Sequence, residues 1–330
     1  MASCVLILLS SYLTTDMLSR IANNLFWMGR YFERSEHYAR YCKVQFNSSL
    51  DAPVALDKNR MLNSMLLMSD SFQAYHEKYA RLSDNSVFKF IALDQENPYS
   101  IQAMVGLARE NSRSVRNLLV SEVWEASNKF YHSLDTYQGD RYKAERAYDF
   151  YQHVIDNVYI IKGIIGNTLL RDDMAALIHL GMHMERTIQI SRIILAKLDD
   201  ISALPPERLG TPLENFHWTN LLRSCGGFDT SRRIYRSVMN RQKSIEFLLL
   251  NRSFPKSIAF STYEANACFD ILNLPSDKKS DSPVFKMGKI VSALNYLEYK
   301  EIEGKEMVYF SELLGKVYQI TQQFQREYLG

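Results

Sequence analysis

The stretch Leu25–Arg40, LFWMGRYFERSEHYAR, constrains this chain most, because an altered copy of it returns half a chain later. The copy, Leu177–Arg192, reads LIHLGMHMERTIQISR. Gly29 and Gly181, Glu33 and Glu185, Arg34 and Arg186, and Arg40 and Arg192 all stand 152 residues apart. A second pair of segments follows in the same order. Phe247-Leu-Leu-Leu-Asn251 with Pro255-x-Ser257-Ile258 echoes Phe90-Ile-Ala-Leu-Asp94 with Pro98-x-Ser100-Ile101, and the prolines and serines are 157 residues apart. Chance likeness between two amphipathic helices would explain one match. Two matches in order predict an internally duplicated all-α bundle, its pseudo-equivalent halves, about 17–167 and 168–330, packed together.

Residue spacing supports helices throughout. Proline, costly inside a helix, is confined to edges and is absent from Tyr99 to Leu204. Ile21, Leu25, Met28, Phe32, Ala39, Cys42 and Phe46 form one helical stripe, which predicts a helix from Ser19, its N-cap, to about Phe46. Further helices are expected over Asp57–Ala80, Val87–Leu93, Arg141–Asn167, Leu169–Leu198 and Asn215–Cys225. Tyr99–Val120 should form one more, with Asn97 as cap and Pro98 at its first position. Ser121 should cap a shorter helix carrying Trp124. No turn signal flanked by alternating strands occurs.

Composition sets outer limits. An apolar fraction of 46% and a net charge of +2 describe an ordinary globular chain with no global field directed at nucleic acid. Cys4, Cys42, Cys225 and Cys268 are widely separated, which argues against a zinc site or a disulfide framework and suits a reducing, cytoplasmic setting. The apolar run Cys4–Leu9 is too short to span a bilayer and has no Lys or Arg before it. Residues 1–16 are therefore expected to be an extension ahead of a start at Met17, and no membrane association is expected.

The polar residues of the repeat are the candidate functional groups. On a helical projection Gly29, Glu33, Glu36 and Arg40 flank the apolar stripe, while Arg30, Arg34 and His37 point further round, toward solvent or a partner. The copy retains Gly181, Glu185 and Arg192 but has Ile188 in place of Glu36. Glycine costs roughly 1 kcal/mol in a helix, so its presence twice suggests a close helix crossing. Glutamates beside such a crossing need partners. Arg109, Arg113 and Arg116, spaced i, i+4 and i+7, are the expected ones. The arrangement reads either as a half-buried salt-bridge network or as a pocket for a carboxylate or phosphate, which the planar arginine fork suits. His179-x-x-x-His183-x-Glu185 has a spacing compatible with a metal, but Trp27 and Tyr31 stand at the matching positions of the first segment, so no metal or other cofactor is expected. No nucleotide or serine-hydrolase signature is present.

These segments together resemble the alpha-E domain family. The resemblance runs from Met17-Leu-Ser-Arg-Ile-Ala-Asn-Asn-Leu-Phe-Trp-Met-Gly-Arg-Tyr-Phe-Glu-Arg34 through Asn97-Pro98-x-Ser100-Ile101 and Ala108-Arg-Glu-Asn-x-Arg113-x-x-Arg116. It continues in Glu122-x-Trp124-Glu125-x-x-Asn128, Thr168-x-x-Arg171-Asp172 and Leu180-Gly-x-x-x-Glu185-Arg186, and ends in Phe254-Pro255-x-Ser257. Gly181-Met182-His183 departs from the usual Gly-Arg-aromatic. The resemblance implies a bacterial, all-helical, cytoplasmic protein that accompanies a circularly permuted ATP-grasp amide ligase and a transglutaminase-like protein. The expected function is accordingly that of an accessory protein in a peptide-forming or peptide-modifying system, holding a carboxylate-bearing peptide, an amino acid or the ligase itself. The expected ligand set is Arg109, Arg113, Arg116, Glu33, Glu36, Arg40, Trp124, Asn128, Arg171, Asp172 and Arg192. The alternatives are an enzyme using Glu33 or Glu185 as acid or base, and a purely structural scaffold.

Overall fold

A computed structural model of the chain describes residues 15–51, 58–138, 146–274 and 281–330. The expected extension lies almost wholly outside these residues. The described residues form helices and no strand. No helix among them is long and apolar enough to cross a membrane.

Two long helices, α1 (Thr15–Asp51) and α8 (Asp173–Ser202), carry the two related segments and cross at the centre of the molecule. Each recruits a similar set of neighbours. Helices α5 (Ile101–Ser114) and α7 (Ala147–Thr168) pack on α1, and α6 (Ser121–Ser133) packs on both of them. Helices α12 (Ile258–Leu272) and α15 (Glu306–Phe324) pack on α8, and α13 (Pro283–Tyr296) packs on both of those. The shorter α2 (Lys58–Met68), α3 (Phe72–Lys78) and α4 (Asp84–Ala92) lie between α1 and α5 in the chain. Between α8 and α12 come α9 (Pro212–Ser224), α10 (Phe228–Tyr235) and α11 (Arg241–Leu250). Helix α14 (Tyr299–Ile302) joins α13 to α15.

Burial follows a common register. Tyr151, Val154, Val158, Ile161 and Ile165 of α7 are buried, as are Phe310, Leu313, Val317, Ile320 and Phe324 of α15, each 159 residues further on. Phe130 and Leu134 are buried, as are Ile290 and Leu294, 160 residues on. Ser100 and Ser257 cap α5 and α12, accepting from the N–H of Ala103 and Phe260.

Several expected boundaries move. Helix α1 starts at Thr15 and runs to Asp51, so Ser19 lies inside it rather than at its cap. The segment expected as one helix over 57–80 breaks at Asp70, whose φ of 53° no helix accommodates. Asn97 does not cap α5. Its carbonyl oxygen accepts from Tyr99 N–H, and its amide donates to Ser71 and to the Phe90 carbonyl, so it braces a turn. Ser121 is the first residue of α6 rather than its cap.

Candidate functional site

The crossing of α1 and α8 is set by its glycines. A Cβ on Gly29 would strike the carbonyl oxygen of Ile178, and one on Gly181 would strike that of Phe26. The contact is reciprocal, since Ile178 and Phe26 are themselves 152 residues apart. Backbone-to-backbone approach of this kind brings the next turn of each helix over the other, and the glutamates and arginines there exchange partners.

Glu33 accepts from Arg186 at 2.6 and 3.0 Å. In return, Glu185 accepts from Arg34 at 2.6 and 3.0 Å. Each Glu-Arg dipeptide thus splits its two charges, the glutamate pairing with the other helix's arginine and the arginine with the other helix's glutamate. All three glutamates, Glu33, Glu36 and Glu185, are fully buried. Burial pushes their carboxyls up, but the surrounding cations outweigh it. Arg186 and Lys162 hold Glu33 well below the usual carboxylate range, and Arg34 and Arg30 do the same for Glu185.

Around this exchange the two ends differ. Glu185 also receives Arg30 at 2.8 Å and the Gln189 amide at 2.6 Å. The position matching Arg30 is Met182, which cannot serve Glu33. Lys162, from α7, supplies that charge at 2.5 Å from Glu33 and lies 2.7 Å from Glu36. Glu36 further holds Arg40 at 3.0 Å and Lys256, the residue just before the α12 cap. Burial pushes the Lys256 ammonium down to about 8, against the pull of Glu36. His37 donates its Nε2–H to the Glu33 carboxylate at 3.1 Å, and burial lowers its pKa. The Glu33 end thus gathers four cations (Arg40, Lys162, Arg186, Lys256) around two carboxylates.

This surplus reaches the surface through Arg40. Its guanidinium donates to the Tyr159 hydroxyl at 2.5 Å and lies against Gly226. It also lines a cleft of about 480 Å³ between α1, α7 and the α9–α10 turn. Lys43 and Arg223 face the same cleft, with Tyr148 and Phe228 as aromatic walls and Asp229 as its one acid among the described residues. Lys43 lies 4.3 Å from the Tyr148 ring and Arg223 4.9 Å from that of Phe228.

The expected pairing of the glutamates with the arginine stripe does not occur. Helix α5 ends at Ser114, so Arg116 falls in the following turn and shares no face with Arg109. Arg113 is exposed and pairs with Glu110 at 2.7 Å. Arg109 packs against α6, bonding Asn128 at 2.7 Å and stacking over Trp124 and Tyr131 at 5.4 and 5.1 Å. Arg109, Trp124 and Asn128 therefore come together as expected, but apart from Glu33. Arg30 and His37 are buried rather than directed to solvent, because α8 covers that side of α1. Asp172 caps α8, accepting from Met174 and Ala175, and Arg171 beside it is exposed. Arg192 binds Asp70 and the Leu67 carbonyl at the break between α2 and α3. The His179 and His183 rings stack 6.2 Å apart, and among the described residues no three His, Cys, Asp or Glu side chains gather as a metal would need. Lys162, Lys256, Lys43 and Arg223 are the residues that sequence reasoning missed. None of them carried a signal, Lys256 standing at the unspecified position of the Pro-x-Ser motif.

The Alpha-E family model, described as a predicted alpha-helical domain with a conserved ER motif, matches residues 17–329. The Glu-Arg pairs 33–34 and 185–186 are the two ER dipeptides that exchange partners here. Uncharacterised proteins of Mycobacterium bovis and Mycobacterium tuberculosis are each 21% identical over 301 residues, covering 86% of this chain. The chain spans about a third of the length of these curated relatives. No solved structure matches.

Proposed function

Because the chain belongs to the Alpha-E family, we propose that it is an accessory, substrate-holding protein. Its cationic cleft binds the carboxylate of a peptide or amino acid on behalf of a partner amide ligase of the ATP-grasp type, in a system that also includes a transglutaminase-like protein. We read its halves as copies of one ancestral unit, on the strength of the common register and the reciprocal crossing.

The observation that carries the ligand reading is the surplus of positive charge. Arg40, Lys43 and Arg223 face a cleft holding one acid among the described residues, and Arg40 joins it to a buried network with twice as many cations as carboxylates. Arginine and lysine beside aromatic walls suit the carboxylate and the side chain of a peptide. Glu33 and Glu185 are poor acids or bases, since each is held ionised by two or more cations. The relatives' greater length leaves room for further domains in the same polypeptide, in keeping with a partner-dependent role.

Titration calorimetry with glutamate, short peptides and the same peptides amidated at the C-terminus tests the reading. Carboxylate-bearing ligands should bind the wild type. Arg223→Ala should weaken them about tenfold or more, as expected for losing a charge-assisted hydrogen bond, and amidation should do the same. The absence of heat for every carboxylate, or unchanged affinity in Arg223→Ala, would refute it. Copurification of the tagged chain with an ATP-grasp ligase of its host tests the partnership separately.

A further inference from the structure

A second cleft, of about 430 Å³, runs between α13 and α15, far along the chain from the cationic one. Its floor is apolar, formed by Ile290, Leu294, Leu313 and Ile320 with Ala293 and Tyr309. The α15 lining residues Tyr309, Leu313 and Ile320 recur at helical spacing over about 17 Å, or three turns.

The matching region of the first half is filled. There the Tyr137 ring packs edge-on against Phe150 at 5.3 Å and lies 5.7 Å from His153, which Phe130 also approaches at 6.4 Å. In the shared register Phe150 matches Tyr309, Phe130 matches Ile290 and Tyr137 matches Leu297. Two aromatic side chains that close the first groove are thus aliphatic in the second. Of these, Ile290 lines the second groove, where it is smaller than the Phe130 ring of the first half.

The rim indicates what fills it. Among the described residues, Lys286, Lys289 and Lys316 border the groove against one acid, Glu312. Lys286 is partly neutralised by Asp281, whereas Lys289 and Lys316 are exposed. An apolar trough of helical pitch with a basic rim is complementary to an amphipathic helix with acidic flanks. We propose that the α13–α15 groove docks an acidic amphipathic helix of a partner protein, anchored by an aromatic side chain seated against Tyr309. This does not depend on ligand binding at the cationic cleft.

The probe is a fluorescein-labelled peptide of about 14 residues, designed as an amphipathic helix with Tyr, Leu and Leu at i, i+4 and i+7 and glutamates on both flanks. A version with lysines for the glutamates is the control. Fluorescence anisotropy with the full chain should show saturable binding of the acidic peptide and none of the basic one. Ala293→Trp, which fills the groove from an exposed position, should abolish binding. Lys289→Glu with Lys316→Glu should weaken it at least tenfold while the circular dichroism spectrum is unchanged. No binding to the wild type, or equal binding to Ala293→Trp, would overturn the proposal. Self-association of the wild type that Ala293→Trp removes would also overturn it, by placing a second copy in the groove.

Discussion

Lys256 shows most clearly how burial and charge compete at a single position. It sits among Arg40 and Lys162 with Glu36 as its bonded partner, and burial leaves its pKa at about 8. An unfolded lysine titrates near 10.4. Between those values the unfolded chain binds more protons than the folded one, so this group's contribution to stability rises with pH. Urea melts of the wild type should therefore show a gain from pH 8 to pH 10 that Lys256→Met lacks. A wild type and variant with parallel pH profiles would place the Lys256 ammonium in water. The residue was not visible as a candidate in the sequence, because a lone lysine before a cap serine gives no sign of its burial.

At the scale of elements, the apolar stripes were legible because helical periodicity is a local property. Leu25, Met28, Phe32, Ala39 and Cys42 are all buried where the stripe put them, whereas the cap of α5 is Ser100 and not the expected Asn97. Helix ends were less legible, since the early stop of α5 at Ser114 and the break at Asp70 depend on tertiary partners. The close crossing was announced by two glycines in otherwise good helix formers. Gly29→Ala gains roughly 1 kcal/mol of helix propensity. The collision with the Ile178 carbonyl oxygen, part of a backbone that cannot rotate away, costs more, of order 1–3 kcal/mol or above. Gly163 of α7 is the internal control, because a Cβ there meets nothing. Denaturant unfolding should show Gly29→Ala destabilised and Gly163→Ala stabilised by up to about 1 kcal/mol. Two changes of the same sign would remove the crossing as the reason for the central glycine.

For the whole molecule, the sequence identified the glutamates that matter but not their partners. Spacing within one helix showed that Glu33 and Glu185 lie beside the crossing and need cations. It could not show that each takes the arginine following the other, because that pairing exists only once α1 and α8 cross. The arginine stripe of α5 was the wrong choice for the same reason. Its own Glu110, one residue from Arg109 and three from Arg113, was nearer than any glutamate of α1. The central claim is that Glu33 and Arg186 join the two halves as a buried, exchanged pair. A double-mutant cycle of Glu33→Gln with Arg186→Gln, read by urea unfolding, tests it most directly, with Glu33→Gln and Arg34→Gln as the comparison cycle. Each single change should cost about 3–5 kcal/mol. The 33/186 cycle should show a coupling of about 1–3 kcal/mol, and the adjacent 33/34 pair, whose side chains bind different residues of α8, a much smaller one. Additivity in the 33/186 cycle, or stronger coupling within 33/34, would contradict the exchange.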